Sequence, residues 1–170
     1  MYKIGDMEFL NNNKEDLYEE IKVYLHEKQF IINDESGAPL SEKAFMEIIA
    51  SHSSYSFSVK QISTIEKEFI EELVIYIEKV KDKVDSFSKS NDKELIINGF
   101  INLINSLIEI QATAGYFEIE IIDIEYINEL ATRAISRIED GDYDFLVDVM
   151  EYELVPSLVH FKNKLPERLY

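Results

Sequence analysis

Residues 91–114 read NDKELIINGFINLINSLIEIQATA, and this stretch decides how the chain is organised. On a helical wheel Leu95, Ile96, Ile97, Phe100, Ile101, Leu103, Ile104, Leu107, Ile108 and Ile110 surround the axis. They leave a narrow polar stripe of Glu94, Asn98, Asn102, Asn105 and Glu109. A helix apolar almost all round is expected to be covered by several neighbours. The spacing therefore predicts a helical bundle in the C-terminal half, with this segment at its centre. Asn91 followed by Glu94 has capping-pair spacing and predicts the start. Gly115 predicts the stop.

Working outward, the flanking segments carry the same helical period. Ile65, Phe69, Leu73, Tyr76, Val80, Val84 and Phe87 make an apolar face on a long preceding helix, broken by Ser88-Lys89-Ser90-Asn91. A third helix is expected to carry Ile119, Ile122, Tyr126, Leu130, Ala134 and Ile138. Glu139-Asp140-Gly141-Asp142 should end it and cap the next, with Gly141 left-handed. The last helix holds Phe145, Leu146, Val149, Met150, Leu154, Leu158 and Phe161, and Pro156 inside it should kink it or end its first half. Four helices are expected over 63–170.

Before residue 63 the pattern changes. Tyr2 to Leu10 reads as two short strands around a Gly5-Asp6 turn. Asn12 or Asn13 can cap a helix with Leu17, Ile21, Tyr24 and Leu25 on one face, although Ile21 and Val23 also alternate as in a strand. Gln29 to Asn33 reads as a strand closed by the turn-rich Asp34 to Pro39. Ser41 caps a short helix through Phe45, Ile48 and Ile49, and Tyr55, Phe57, Val59 and Gln61 alternate as a final strand. The fold class is α+β: a small mixed-sheet domain over 1–62, then a four-helix bundle-like domain over 63–170.

The element order over 1–62 resembles the β-grasp (ubiquitin-like) topology, in which a hairpin, a crossing helix and later strands share one mixed sheet. That fold hosts many unrelated roles, so the resemblance carries no functional residue across. Asp140-Gly141-Asp142-Tyr143-Asp144 through Leu158 is similar to an ending found in uncharacterised helical-bundle proteins of low-GC Gram-positive bacteria. It implies no activity. Abundant Ile, Asn, Lys and Glu also suit an AT-rich bacterial genome.

Composition narrows the function classes. Of 170 residues, 46% are hydrophobic and 30% charged, as in a globular protein. Acidic residues number 34 and basic ones 17, a net charge of −17. Residues 1–63 hold 11 acidic and 6 basic side chains, net −5, and the remainder 23 and 11, net −12. Such a balance opposes nonspecific binding to nucleic acid or anionic membranes and favours basic partners or cations. Cysteine is absent, which excludes disulfides, thiol catalysis and thiolate-bound zinc. No signal-peptide pattern opens the chain, and Asn98, Asn102 and Asn105 interrupt its most apolar helix, so a cytoplasmic setting is expected.

Reaction chemistry finds little support. Asp140, Asp142, Asp144, Asp148 and Glu151 fall at positions one, three, five, nine and twelve of a calcium loop, but Phe145 stands where the turn requires glycine. A capped helix–helix turn accounts for them better. His26, His52 and His160 lie in separate elements, and Glu153 with His160 reads as a surface pair. Ser51, Ser53, Ser54, Ser56 and Ser58 lack a nucleophile-elbow context, and no glycine cluster cradles phosphate. No catalytic residue, cofactor or metal ligand is therefore expected.

Two surfaces remain as interface candidates. One is the acidic stretch 109–153, with 13 acidic residues against Arg133 and Arg137, including Glu118, Glu120, Asp123 and Glu125. The other is the stripe of Asn98, Asn102 and Asn105, which could bond across the bundle, line a groove or face water. The sequence thus reads as a noncatalytic protein with a protein partner, basic in character, and neither nucleic acid nor membrane as ligand. A small-ligand or metal-binding bundle and an immunity- or inhibitor-like protein are the alternatives.

Overall fold

The computed structural model describes residues 1–34 and 36–165. The chain is α+β, with a four-stranded mixed sheet at its N-terminus and helices beyond. It divides into two compact units inside one long helix, between Glu68 and Phe69, rather than at residue 62.

In the first unit β1 (Tyr2–Ile4) and β2 (Met7–Phe9) form a hairpin around Gly5, whose φ of 58° is left-handed. Helix α1 (Lys14–Lys28) follows, capped by the Asn13 side chain on the Glu15 N–H at 3.0 Å. The helical reading of Ile21 holds: Ile21 and Leu17 are buried, whereas Val23 is exposed. β3 (Phe30–Asn33), α2 (Glu42–Ser51, capped by Ser41) and β4 (Tyr55–Gln61) complete the unit.

Strand order is β2-β1-β4-β3, with β1 parallel to β4 and the outer pairs antiparallel. Tyr2, Ile4, Phe9, Ile32 and Phe57 cover one face and pack under Leu17, Ile21, Phe45 and Ile49 of the two helices. The free side of β3 is closed, because Leu40 N–H donates to Ile32 O at 2.8 Å and Asp34 N–H to Ala38 O at 2.8 Å. Among the described residues β2 is the open edge.

The helices of the second unit share a separate apolar core. They are α3 (Ile62–Phe87), which begins in the first unit, α4 (Lys93–Gly115), α5 (Ile124–Glu139) and a final helical run. That run comprises α6 (Asp144–Asp148), a π-helical segment (Val149–Leu154) and α7 (Val155–Lys164). Leu73, Val80, Val84 and Phe87 are buried on α3 as expected, while Ile70 and Ile77 take the core positions in place of Phe69 and Tyr76, which are half-buried.

Four sequence expectations change here. First, α4 is not buried all round: Ile96, Phe100, Leu103, Ile104 and Leu107 face the core, but Leu95, Ile101 and Ile108 are 41%, 46% and 37% exposed. Second, the start of α4 is capped by Asp92, not Asn91. Its carboxylate accepts the Leu95 N–H at 3.1 Å, and an anionic acceptor suits the positive end of the helix better than an amide. Third, α4 ends at Gly115 as expected, but the left-handed residue that follows is Glu118, at φ 54°, rather than the glycine, with Ile119 N–H bonded to Ala114 O at 3.0 Å. Fourth, Ile119 and Ile122 precede α5. The helix starts where Asp123 caps the Glu125 N–H at 2.8 Å, and Ile127 takes the core position.

Pro156 stands at the head of α7, directly after the π segment. Leu146, Met150, Leu154 and Leu158 are all buried at four-residue steps. Each such step overshoots a regular helical turn by about 40°. The wider turn, in which Val155 N–H bonds Met150 O, returns these side chains to one face.

Candidate functional site

The titratable residues singled out in the sequence are spread over several described elements and the turns between them. Asp140 is the C-cap of α5, and Asp142 bonds Arg137 Nη1 at 3.4 Å and the Phe145 N–H at 3.4 Å. Asp144 and Asp148 open and close α6, and Glu151 lies in the π segment, so their carboxylates are distributed along a helix. Among the described residues no group of three or more His, Asp or Glu side chains could hold a metal ion.

Ser51 Oγ lies 2.8 Å from His52 Nδ1, yet its hydroxyl donates to Glu47 O at 2.6 Å. Its proton is committed to the backbone, and His52 Nδ1 also lies 3.2 Å from Ile48 O, a backbone carbonyl rather than the orienting carboxylate of a hydrolytic triad. Glu153 does not meet His160. It accepts instead from Tyr126 Oη at 2.7 Å and Arg133 Nη2 at 3.2 Å, both on α5. Burial and the Glu153 carboxylate push Tyr126 up to about 12, and the Tyr126 hydroxyl, assisted by Arg133, holds Glu153 below the ordinary glutamate value.

The acidic connection between α4 and α5 is built differently from a solvated loop. Ile119, Ile121 and Ile122 point into the core at 2%, 7% and 7% exposure, while Glu118, Glu120, Asp123 and Glu125 are exposed. Gln111 of α4 fastens the segment from below. Its Nε2 donates to Ile119 O at 3.1 Å, and its Oε1 accepts from Ile121 N–H at 2.7 Å and Ile122 N–H at 3.2 Å. One amide thus satisfies three backbone groups along the stretch 119–122. The result is a turn with an apolar underside and a carboxylate-bearing outer side. Sequence reasoning missed Gln111; the isoleucine–acid alternation at 118–123 was the signal that could have found it.

Asn98, Asn102 and Asn105 are exposed on the outer face of α4, so none bonds across the core. Asn102 also borders a groove of about 390 Å³ between α3 and α4, floored by Val80, Val84, Phe87 and Leu103 and rimmed by Lys79 and Lys83. Gly99 is what lets these helices approach, because a side chain there would run into the Phe87 ring. Among the described residues α4 is the one helix long and apolar enough to cross a membrane by length and composition.

No family model matches the chain, and no curated protein or solved structure matches it either, so its reading rests on its own residues.

Proposed function

We propose that the chain is a noncatalytic protein-binding module that engages a basic protein partner through the α4–α5 turn. The observation that carries this reading is the fastening of the turn by Gln111 and three buried isoleucines. A surface ordered before the partner arrives avoids the conformational cost of ordering it on binding. Exposed carboxylates on that surface, in a stretch of net charge −11, draw a cationic partner in and set its orientation.

The β-grasp-like reading of the first unit is supported by its strand order, and the open β2 edge is its natural place for a second contact. A cytoplasmic setting accords with the cysteine-free composition. Neutralisation of a basic enzyme, as an immunity protein would do, is one form the same recognition can take. The small-ligand alternative draws on one observation, the α3–α4 groove.

The test compares proteins captured by the chain with those captured by Glu118→Gln/Glu120→Gln/Glu125→Gln. Asp123 is kept because it caps α5. The reading expects a basic protein held by the native chain, released by moderate salt and lost by the triple variant. An identical capture profile for both chains contradicts it.

A further inference from the structure

We propose that the groove between α3 and α4 binds a single-chain aliphatic carboxylate, its head between Lys79 and Lys83 and its tail along Val80, Val84, Phe87 and Leu103. The floor is apolar, and a volume of about 390 Å³ lies in the range that takes a small molecule. Phe87 lies on Gly99 at one end, and Tyr76 hydrogen-bonds Ser106 at the other. Between those ends α4 advances from Gly99 to Ser106, about 10 Å. The trough is too small for a peptide helix, itself about 10 Å across, and suits one extended chain.

Charge selects the head group. Acidic residues outnumber basic ones by 34 to 17, yet the groove lining holds two lysines and no carboxylate. Lys79 and Lys83 stand four residues apart on one helix face, where like charges repel. Among the described residues neither is ion-paired to a carboxylate. Lys83 Nζ lies 5.2 Å from the centre of the Phe87 ring, so its ammonium is already held over the apolar floor. The neighbouring carboxylates point elsewhere or stand beyond the ends. Glu78 is engaged by Lys162, and Asp82 is turned about 100° around α3 from Lys83. Glu72 precedes Tyr76 on α3 and Glu109 follows Ser106 on α4, each about one turn past that end of the groove.

A carboxylate answers each of these features. Its two oxygens can meet both ammoniums at once, which relieves their mutual repulsion, and the Asn102 amide on the opposite rim supplies a further donor. Its tail covers the apolar floor. A cationic amphiphile with the same tail would bring a third positive charge to the lysines. The groove shares no residue with the acidic α4–α5 turn, so this inference stands or falls separately from the basic-partner reading.

Titration of the full chain with decanoate, followed by methyl NMR, locates the site and reads its affinity together. The methyl groups of Val80, Val84 and Leu103 should shift, with a Kd between about 50 µM and about 2 mM, while those of Ile32 and Ile49 in the other core stay in place. Decyltrimethylammonium should leave the groove methyls unmoved. Lys79→Gln/Lys83→Gln should weaken decanoate about tenfold with an unchanged circular dichroism spectrum, because both lysines are exposed. Lys3→Gln/Lys28→Gln, the same change of net charge on exposed residues of β1 and α1, should bind as the native chain does. No groove shift up to about 5 mM decanoate, or equal affinity in the native chain and Lys79→Gln/Lys83→Gln, overturns the proposal. Equal weakening by both double variants overturns it too, since net charge alone would then govern binding. So do groove shifts produced equally by decyltrimethylammonium, or phosphatidylglycerol vesicles that bind through Lys79 and Lys83 where decanoate does not.

Discussion

Gly99 shows how one residue sets a helix spacing. Its missing side chain is replaced by the Phe87 ring, which lies over the α4 backbone and closes the end of the core between α3 and α4. Gly99→Ala gains helix propensity but forces the ring or the helix to move, and overpacking of this kind costs about 1–3 kcal/mol. Urea denaturation should show that loss, whereas Gly115→Ala, which meets nothing within 4 Å, should be neutral or slightly stabilising. The pair Tyr126–Glu153 gives a second residue-scale prediction. Tyr126→Phe removes a hydrogen bond to a carboxylate and should cost about 1 kcal/mol near neutral pH. Glu153 is held below its ordinary value, so its contribution is present above the usual glutamate range and lost as pH falls through the lower folded value. The stability difference between native and variant chains should therefore shrink below about pH 4. A difference that stays constant down to pH 2 would show that the bond does not respond to the carboxylate's charge.

Among the elements, helix boundaries are decided by single polar side chains. Asp92→Ala should destabilise the chain by about 1 kcal/mol, and Asn91→Ala by much less, because the Asp92 carboxylate is the group on the Leu95 N–H. Equal losses on chemical denaturation would return the cap to Asn91. The sequence is ambiguous here, since both residues are good caps; in the structure the Ser90 hydroxyl accepts the Asp92 N–H at 3.1 Å and so fixes the residue that caps. Ile119 and Ile122 mislead for a related reason: they keep helical spacing with Tyr126, yet the Gln111 amide bonds their backbone groups outside any helix. The alternation at 118–123 marks the segment's apolar underside, but nothing local names the distant amide that fastens it. The existence of the strands and the Ser41 cap were legible, and Asn13 was one of the two asparagines offered for α1, because alternation and capping act within a few residues. The π segment was not. The four-residue register of Leu146, Met150, Leu154 and Leu158 requires it, with or without Pro156. Pro156→Ala should thus change stability by less than about 1 kcal/mol, and a gain near 3 kcal/mol would mean that the proline itself interrupts the ladder.

At the scale of the whole molecule, apolar side chains divide into two cores, one per unit, and charge is left to the surface. No described buried residue is polar or charged. That distribution is why composition could exclude chemistries but could not show which surface matters. An acidic chain of net charge −17 has carboxylates almost everywhere, and a loop that is merely acidic is indistinguishable in sequence from one that is also rigid. The helix that organised the reading proved exposed along one side, since a wheel counts apolar residues but not the neighbours that would cover them.

Rigidity of the α4–α5 turn is the property on which the functional account depends, and it can be measured without a partner. Amide hydrogen exchange of the free chain should find Ile121 and Ile122 protected to nearly the level of the flanking helices, with that protection lost in Gln111→Ala. Exchange of both amides at the rate of an unstructured peptide in the native chain would contradict a docking surface ordered in advance.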